Sequence, residues 1–206
     1  MFGLSRDIIR ETGSNHVLDY GGGDGAFARS CIDLGLADIT VYEPSVGFAK
    51  LARERCNLAE QISIFQKWSD VRTDRFDVVT MHAVWMCLKT EDECAETLER
   101  IAAALISNGI LVAAVTHPCF RESRFSSYVS DFQNENYLDD GRNYRVTMTD
   151  GQHSLSFVDT HWTLGAMSRQ LQRAGFSIER LFEVPDAVSD LKGCPWLTIV
   201  ARKSEK

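Results

Sequence analysis

The chain has 206 residues, 44% hydrophobic and 25% charged, long enough to bury one α/β core and short for two. A net charge of -7 and a pI near 5.2 argue against a surface that holds nucleic-acid phosphates by bulk electrostatics, leaving open only a local basic patch. The amino terminus lacks the apolar core of a signal peptide, and no uninterrupted apolar run has the length of a membrane span. The expectation is a soluble, cytoplasmic protein with no nucleic-acid or membrane partner, as a monomer or a homodimer. Cys31, Cys56, Cys87, Cys94, Cys119 and Cys194 form no Cys-x-x-Cys pair and no zinc-spaced Cys/His cluster, so they read as reduced and structural, and no metal is expected.

The predicted elements alternate between helix and strand. A short amphipathic helix near 4–11 precedes a strand over 16–20, a glycine-rich turn over 21–25 and a helix over 25–34. A second strand over 37–42 ends at Glu43. Pro44 and Ser45 open a helix in which Phe48, Leu51 and Ala52 recur at helical spacing, ending near Cys56. A short strand is predicted over 62–65 and a buried one over 76–81. The helix over 91–105 carries Leu98, Ile101, Ala102 and Leu105 on one stripe and is stopped by Asn108-Gly109. Residues 110–115 are wholly apolar, as in a central parallel strand. Such alternation makes a parallel sheet covered on both faces. The alternation lapses over 117–160, a polar, aromatic-rich insertion with a hairpin pairing 144–149 to 155–159 around Asp150-Gly151. A helix over 163–174, capped by Gly175, and strands over 176–182 and 196–201 complete one domain spanning 1–206.

Asp19-x-Gly21-x-Gly23-x-Gly25 ends a strand and opens a helix, the arrangement that binds nucleosides and dinucleotides. It differs from the nicotinamide fingerprint twice: an acid stands two residues before the first glycine, and the third glycine follows the second by two rather than three. A carboxylate there repels a pyrophosphate. It suits S-adenosylmethionine, which has no phosphate and carries an ammonium and a sulfonium. Glu43, at the end of the second strand, is placed to accept both ribose hydroxyls of an adenosine, and this does not discriminate between cofactors.

With these residues the chain resembles the class I, Rossmann-like S-adenosylmethionine-dependent methyltransferases, particularly those acting on small molecules. Residues 17–25 resemble the family's first motif, Tyr42-Glu43-Pro44-Ser45 its acidic second and residues 76–85 its fourth. Residues 98–112, with Asn108-Gly109 replacing the usual Pro-Gly-Gly, resemble its helix and fifth strand. The resemblance implies a three-layer α/β sandwich with a seven-stranded, mainly parallel sheet of order 3-2-1-4-5-7-6 and strand seven antiparallel. It implies S-adenosyl-L-methionine as cofactor and S-adenosyl-L-homocysteine as product. Asp19, Gly21 and Gly23 would line the methionine portion, Glu43 the ribose, and Met81 and His82 the wall beside the sulfonium, with Tyr20 and Pro44 also in the cofactor site. Asp70 would hold the adenine amino group, with Trp68 or Ser69 as alternatives because the stretch from Asp70 to Phe76-Asp77 is shorter than usual.

Methyl transfer from a sulfonium is an in-line displacement by an already activated donor, so the protein aligns the nucleophile and excludes water. A general base is optional and assists a hydroxyl or a protonated amine. The candidates are His117, directly after the fifth strand, His161, at the exit of the insertion, and His82. Their structural alternatives are a loop-backbone contact for His117, an N-terminal cap in Thr160-His161-Trp162-Thr163, and packing for His82. His117-Pro118-Cys119-Phe120 superficially matches the Asn-Pro-Pro-Tyr motif of amino-methylating nucleic-acid enzymes, but that motif follows strand four, where this chain has Met81-His82-Ala83-Val84. The insertion is read as a substrate lid. Its aromatic walls come from Phe120, Phe125, Tyr128, Phe132, Tyr137 and Tyr144, with Trp85 as wall or core, and Arg121, Arg124, Arg142 and Arg145 are available to an anionic or planar small-molecule acceptor. Oxygen or nitrogen is expected as the methyl acceptor ahead of carbon. Two alternatives stay open: a catalytically silent nucleoside-binding or interaction protein of this fold, and an NAD(P)-dependent reductase, which the glycine spacing and the lack of a Tyr-x-x-x-Lys pair disfavour.

Overall fold

The computed structural model describes residues 2–35, 38–57, 59–125, 128–149, 152–185 and 193–205. In chain order the elements are α1 (Phe2–Thr12), β1 (His16–Tyr20), α2 (Ala26–Ile32), β2 (Asp38–Tyr42), α3 (Val46–Cys56), β3 (Ile62–Phe65), β4 (Phe76–His82), α4 (Glu91–Ala104) and β5 (Leu105–Thr116). Then follow β6 (Tyr128–Ser130), β7 (Arg142–Thr149), β8 (Ser154–His161), α5 (Leu164–Arg173), β9 (Phe176–Val184) and β10 (Trp196–Lys203). Seven strands form one sheet in the order β3-β2-β1-β4-β5-β10-β9, and β6-β7-β8 form a second sheet. The main sheet is parallel from β3 through β5, and β10 runs antiparallel to both β5 and β9. This is the 3-2-1-4-5-7-6 arrangement with its last strand reversed. Among the described residues, no helix is long and apolar enough to cross a membrane.

Successive strand residues face opposite sides, and both sides of this sheet are apolar. Val17, Val78, Val112 and Val200 pack beneath Ile8 and Ile9 of α1 and Phe27 of α2. Leu18, Val79, Leu111 and Ile199 pack against Leu98 and Ile101 of α4 and Met167 and Leu171 of α5. Each large aliphatic side chain removed from water contributes about 1.5–3 kcal/mol, which drives helices onto both faces. Helix starts are fixed by side chains that accept otherwise unpaired N–H groups: Thr90 from Glu93 at 3.1 Å and Thr163 from Ala166 at 3.0 Å.

Two local expectations are corrected. α4 ends at Ala104, and the chain passes directly into β5, so Asn108-Gly109 does not stop the helix. Instead Asn108 turns at a φ of 62° inside the irregular start of the strand. There β10 supplies the missing donors, Lys203 Nζ to the Leu105 carbonyl at 2.6 Å and Arg202 Nη1 to the Asn108 carbonyl at 2.8 Å. In α3 the buried residues are Ala49, Ala52 and Cys56, whereas Phe48 and Leu51 are 53% and 48% exposed. The cause is a close approach: a Cβ on Gly25 would lie 3.2 Å from Ala52 Cα, so only small side chains fit that face.

Residues 117–160 contain the predicted hairpin, longer than expected, as β7 and β8 pair from Arg142↔His161 to Thr149↔Ser154. The expected turn Asp150-Gly151 lies outside the described residues, as does Ala37 at the predicted start of the second strand. Phe132, Tyr144 and Val146 form a small core for this sheet, with Tyr128 and Phe157 packed against it.

Gly25 and Gly13 both have positive φ, 75° and 62°, but a Cβ on Gly13 would meet nothing within 4 Å. Gly13→Ala should cost only backbone strain, about 1–2 kcal/mol, and Gly25→Ala should cost more because α3 must also move. Urea unfolding of the two variants checks this, and equal losses would refute the close packing of α3.

Candidate active site

β1 and β2 pair in register through Tyr20↔Tyr42, so the two chains leave the sheet at the same level. Gly21 and Gly22 both donate to the Tyr42 carbonyl, at 2.7 and 3.2 Å, and the turn is folded over the end of β2. Glu43 then fastens it. Oε2 accepts from Gly23 N–H at 2.8 Å and Oε1 from Ser45 N–H at 2.8 Å. One carboxylate therefore binds the glycine turn and the start of α3 together. Because a carboxylate offers about four lone-pair sites, it retains capacity for further donors. Asp19 is buried beside this turn: Oδ1 accepts from Thr80 Oγ1 at 3.0 Å, and Oδ2 has no partner among the described residues. A buried, unpaired carboxylate oxygen is costly, and a cation nearby offsets that cost.

The other residues assigned to a cofactor divide into those near the turn and those away from it. Tyr20, Tyr42 and Trp68 form a ring cluster with centroid separations of 5.0, 5.6 and 5.2 Å at the ends of β1, β2 and β3. Pro44 is exposed between Glu43 and Ser45. Ser69 donates to Asp70 at 3.2 Å, and Asp70 lines a separate groove with Thr40, Ser63, Arg72 and Arg75. Met81 is wholly buried in the α4/α5-side core. His82 points to the opposite face, with Nε2 2.8 Å from Ser5 Oγ, its ring against Phe2 and Phe27, and Nδ1 3.8 Å from Asp19 Oδ1. The alternation of β4 separates Met81 and His82.

Beyond the ends of β4 and β5 lies a cavity of about 270 Å³. Ala83, Met86, Cys87, Thr116 and His117 line it from the main sheet, and Phe120, Arg121, Tyr128, Phe157 and Asp159 from the inserted segment. Ala83 has a φ of 55°, a strained conformation for a residue with a Cβ. It places Val84 over the glycine turn, where a Cβ on Gly21 would lie 2.5 Å from Val84 Cγ2. The turn and the cavity are thus separated by adjacent residues. Trp85 does not reach the cavity: it is fully buried and donates to Gln170 Oε1 at 2.9 Å, because the helical turn Trp85–Cys87 directs Met86 and Cys87 outward instead. Of the arginines in the insertion, Arg124, Arg142 and Arg145 are exposed and Arg121 is buried against the cavity. Arg121 Nη1 donates to the Tyr144 hydroxyl and to the Thr160 carbonyl. Tyr144 therefore stands behind the wall, holding Arg121, and is not part of the lining.

Of the three candidate bases, His82 lies on the α1/α2 face, and His117 and His161 each hold structural hydrogen bonds. His117 Nδ1 accepts from Cys119 N–H at 3.2 Å, which leaves the proton on Nε2, 3.1 Å from Glu183 Oε1. Burial lowers its pKa, opposed by Glu183. Neither ring nitrogen of His117 is free to take an acceptor's proton. His161 is absent from the cavity wall. Its Nε2 donates to the Tyr137 carbonyl at 2.7 Å and its ring lies 4.4 Å from Phe132. Pairing at Arg142↔His161 turns the side chain into the small core.

Residues 6–181 match the family described as methyltransferase domain. The chain belongs to the class I, Rossmann-like methyltransferases. No curated protein sequence matches it. Among solved structures, this methyltransferase is similar to the CcbJ methyltransferase from Streptomyces caelestis, with a TM-score of 0.73 and 15% identity over 98% of this chain and 95% of that one. It is similar to an S-adenosylmethionine dependent methyltransferase from Mesorhizobium loti, with a TM-score of 0.68 and 19% identity over 95% and 96% of the two chains. It is also similar to the 1,6-didemethyltoxoflavin-N1-methyltransferase of Burkholderia thailandensis, solved with 1,6-didemethyltoxoflavin and S-adenosylhomocysteine, with a TM-score of 0.66 and 19% identity over 99% and 78%.

Asp159 of this methyltransferase, 2% exposed on the cavity wall, carried no signal in the sequence. It is one acid near the end of a strand, and only the pairing Tyr144↔Asp159 sets it beside Arg121 and Tyr144. Burial and then the Arg121 charge lower the pKa of His161 to about 4, against the opposing Tyr137 carbonyl bond. An unfolded histidine titrates near 6.5, so below about 6.5 the unfolded chain binds the extra proton, and stability falls as pH drops towards 4. NMR should show His161 as the neutral Nε2–H tautomer down to pH 5. A titration midpoint near 6.5 would contradict this burial.

Proposed function

We propose that this methyltransferase moves the methyl group of S-adenosylmethionine to a small-molecule acceptor held between the main sheet and the inserted sheet, which acts as a lid. The observation that carries this reading is the cavity itself. It adjoins the glycine turn through Ala83 and Val84 and is closed on its far side by the insertion. At about 270 Å³ it lies just below the usual range of ligand sites, ~300 to ~1,000 Å³, and it suits a molecule of one or two rings.

The residues at the turn fit the donor. Asp19 Oδ2 is buried without a partner and favours a cationic ligand over a pyrophosphate. Glu43, held at the turn by two backbone N–H groups, has lone pairs left for ribose hydroxyls. Trp68 offers an aromatic edge for the adenine beside Tyr20 and Tyr42. The bound donor supplies a methyl group already activated on sulfur. The protein's part is alignment and water exclusion: Val84 caps the turn, while Phe120, Tyr128 and Phe157 close the acceptor side. The small-molecule acceptor of the Burkholderia enzyme named above supports the same class here.

Calorimetry should show S-adenosylhomocysteine binding to the wild type, no binding of NADH, and at least tenfold weaker S-adenosylhomocysteine binding by Asp19→Asn and Glu43→Ala. Tight NADH binding, or wild-type affinity in both variants, would sink the donor assignment.

A further inference from the structure

Resting on that reading, we infer that the acceptor is a small aromatic acid carrying a hydroxyl or amine, whose carboxylate is held by Arg121 and whose nucleophilic group gives its proton to Asp159. Arg121 is 1% exposed and Asp159 2%, and both line the cavity. Arg121 uses Nη1 for Tyr144 and Thr160, and its Nε and Nη2 have no partner among the described residues. Those two groups share one edge of the guanidinium, the edge that takes a carboxylate through two parallel hydrogen bonds. Asp159 Oδ1 is likewise buried and unpaired. No ion pair within 4.0 Å joins Asp159 to Arg121 among the described residues, so the Arg121 charge reaches Asp159 without a hydrogen bond between them.

The two free groups differ in what they seek. Arg121 can only donate, so its free edge selects an acceptor, and a planar anion satisfies both N–H groups at once. An ionised Asp159 can only accept, and it selects an O–H or N–H. Phe120, Phe125, Phe157 and Trp196 supply the flat apolar walls between them, where a ring packs by face and edge. Arg121 is itself fixed, with its Cζ 4.9 Å from the Tyr144 ring centroid, so little freedom is lost when a carboxylate binds.

Asp159 also has the properties of a base. Burial raises its carboxyl to about 6, against the lowering influence of Arg121 and Tyr144. The ionisable groups around it are Arg121, Tyr144, Tyr128 and Cys87, with His117 also on the cavity wall. In the transfer step the acceptor's oxygen or nitrogen forms the bond to the methyl carbon and the carbon–sulfur electron pair stays on sulfur. The acceptor's proton passes to Asp159 and then to solvent.

The test titrates the protein, saturated with S-adenosylhomocysteine, with hydroxybenzoates and aminobenzoates and with the matching phenols, anilines and benzamides. The acids should bind roughly tenfold to a hundredfold more tightly than their uncharged counterparts. Arg121→Lys should abolish that preference while keeping S-adenosylhomocysteine affinity, which also reports that the variant is folded. Asp159→Asn should still bind the best acid, lose about a hundredfold or more in single-turnover methylation, and lose the fall in rate below pH 6. Equal affinity for acids and amides in the wild type overturns the inference without use of any variant, as does Arg121→Lys retaining the preference. Failure of the wild type to bind S-adenosylhomocysteine instead overturns the donor assignment.

Discussion

The parallel pairing of β1 with both neighbours is the constraint on which the site depends. Tyr20↔Tyr42 on one side and Asp19↔Thr80 on the other fix the height at which the glycine turn, Glu43 and the residues after β4 leave the sheet. At a reversal of strand order, successive crossovers go to opposite faces and leave a crevice at the carboxyl ends. Here that crevice lies between β1 and β4. The Glu43 bridge to Gly23 and Ser45 then converts a flexible glycine run into a fixed surface, because it joins that run to a helix already packed by Ala49, Ala52 and Cys56.

The two sides of the site differ in how they handle buried charge. On the turn side Asp19 is bonded to Thr80 and keeps one oxygen unpaired beneath glycines. On the lid side Arg121 and Asp159 are buried residues of the cavity wall, and each retains unpaired polar atoms. Buried polar atoms are ordinarily satisfied, and Asp19, Arg121 and Asp159 are the charged side chains among those left unpaired in the described residues. Two histidines hold the insertion: His117 ties Cys119 to Glu183 on β9, and His161 ties the end of β8 to Tyr137 through Nε2.

Most elements of the main sheet were legible in the sequence because period and punctuation agree there. The strand over 16–20 and that over 62–65 have the observed bounds, and the glycine turn, the acid ending the second strand and the apolar fifth strand all fall in place. The misread elements share a cause. α3 shows Phe48 and Leu51 to solvent because the approach of Gly25 selects the alanine face, and the start of β5 is held by Arg202 and Lys203 from a distant strand. Hydrophobic periodicity contains neither long-range fact.

By itself the sequence determined the order of the main-sheet elements, the methyltransferase family and the carboxylates at the glycine turn, since these rest on local spacing and on residue types that only certain backbone conformations accept. Tertiary structure alone decided which polar side chains meet at the acceptor cavity. Trp85 is directed into the core by the turn after β4, His161 into the small core by the register of β7 and β8, and Asp159 onto the cavity wall by the same register. In a hairpin a shift of one residue exchanges the two faces, so the side chains that meet the acceptor are set by a pairing that no single strand encodes.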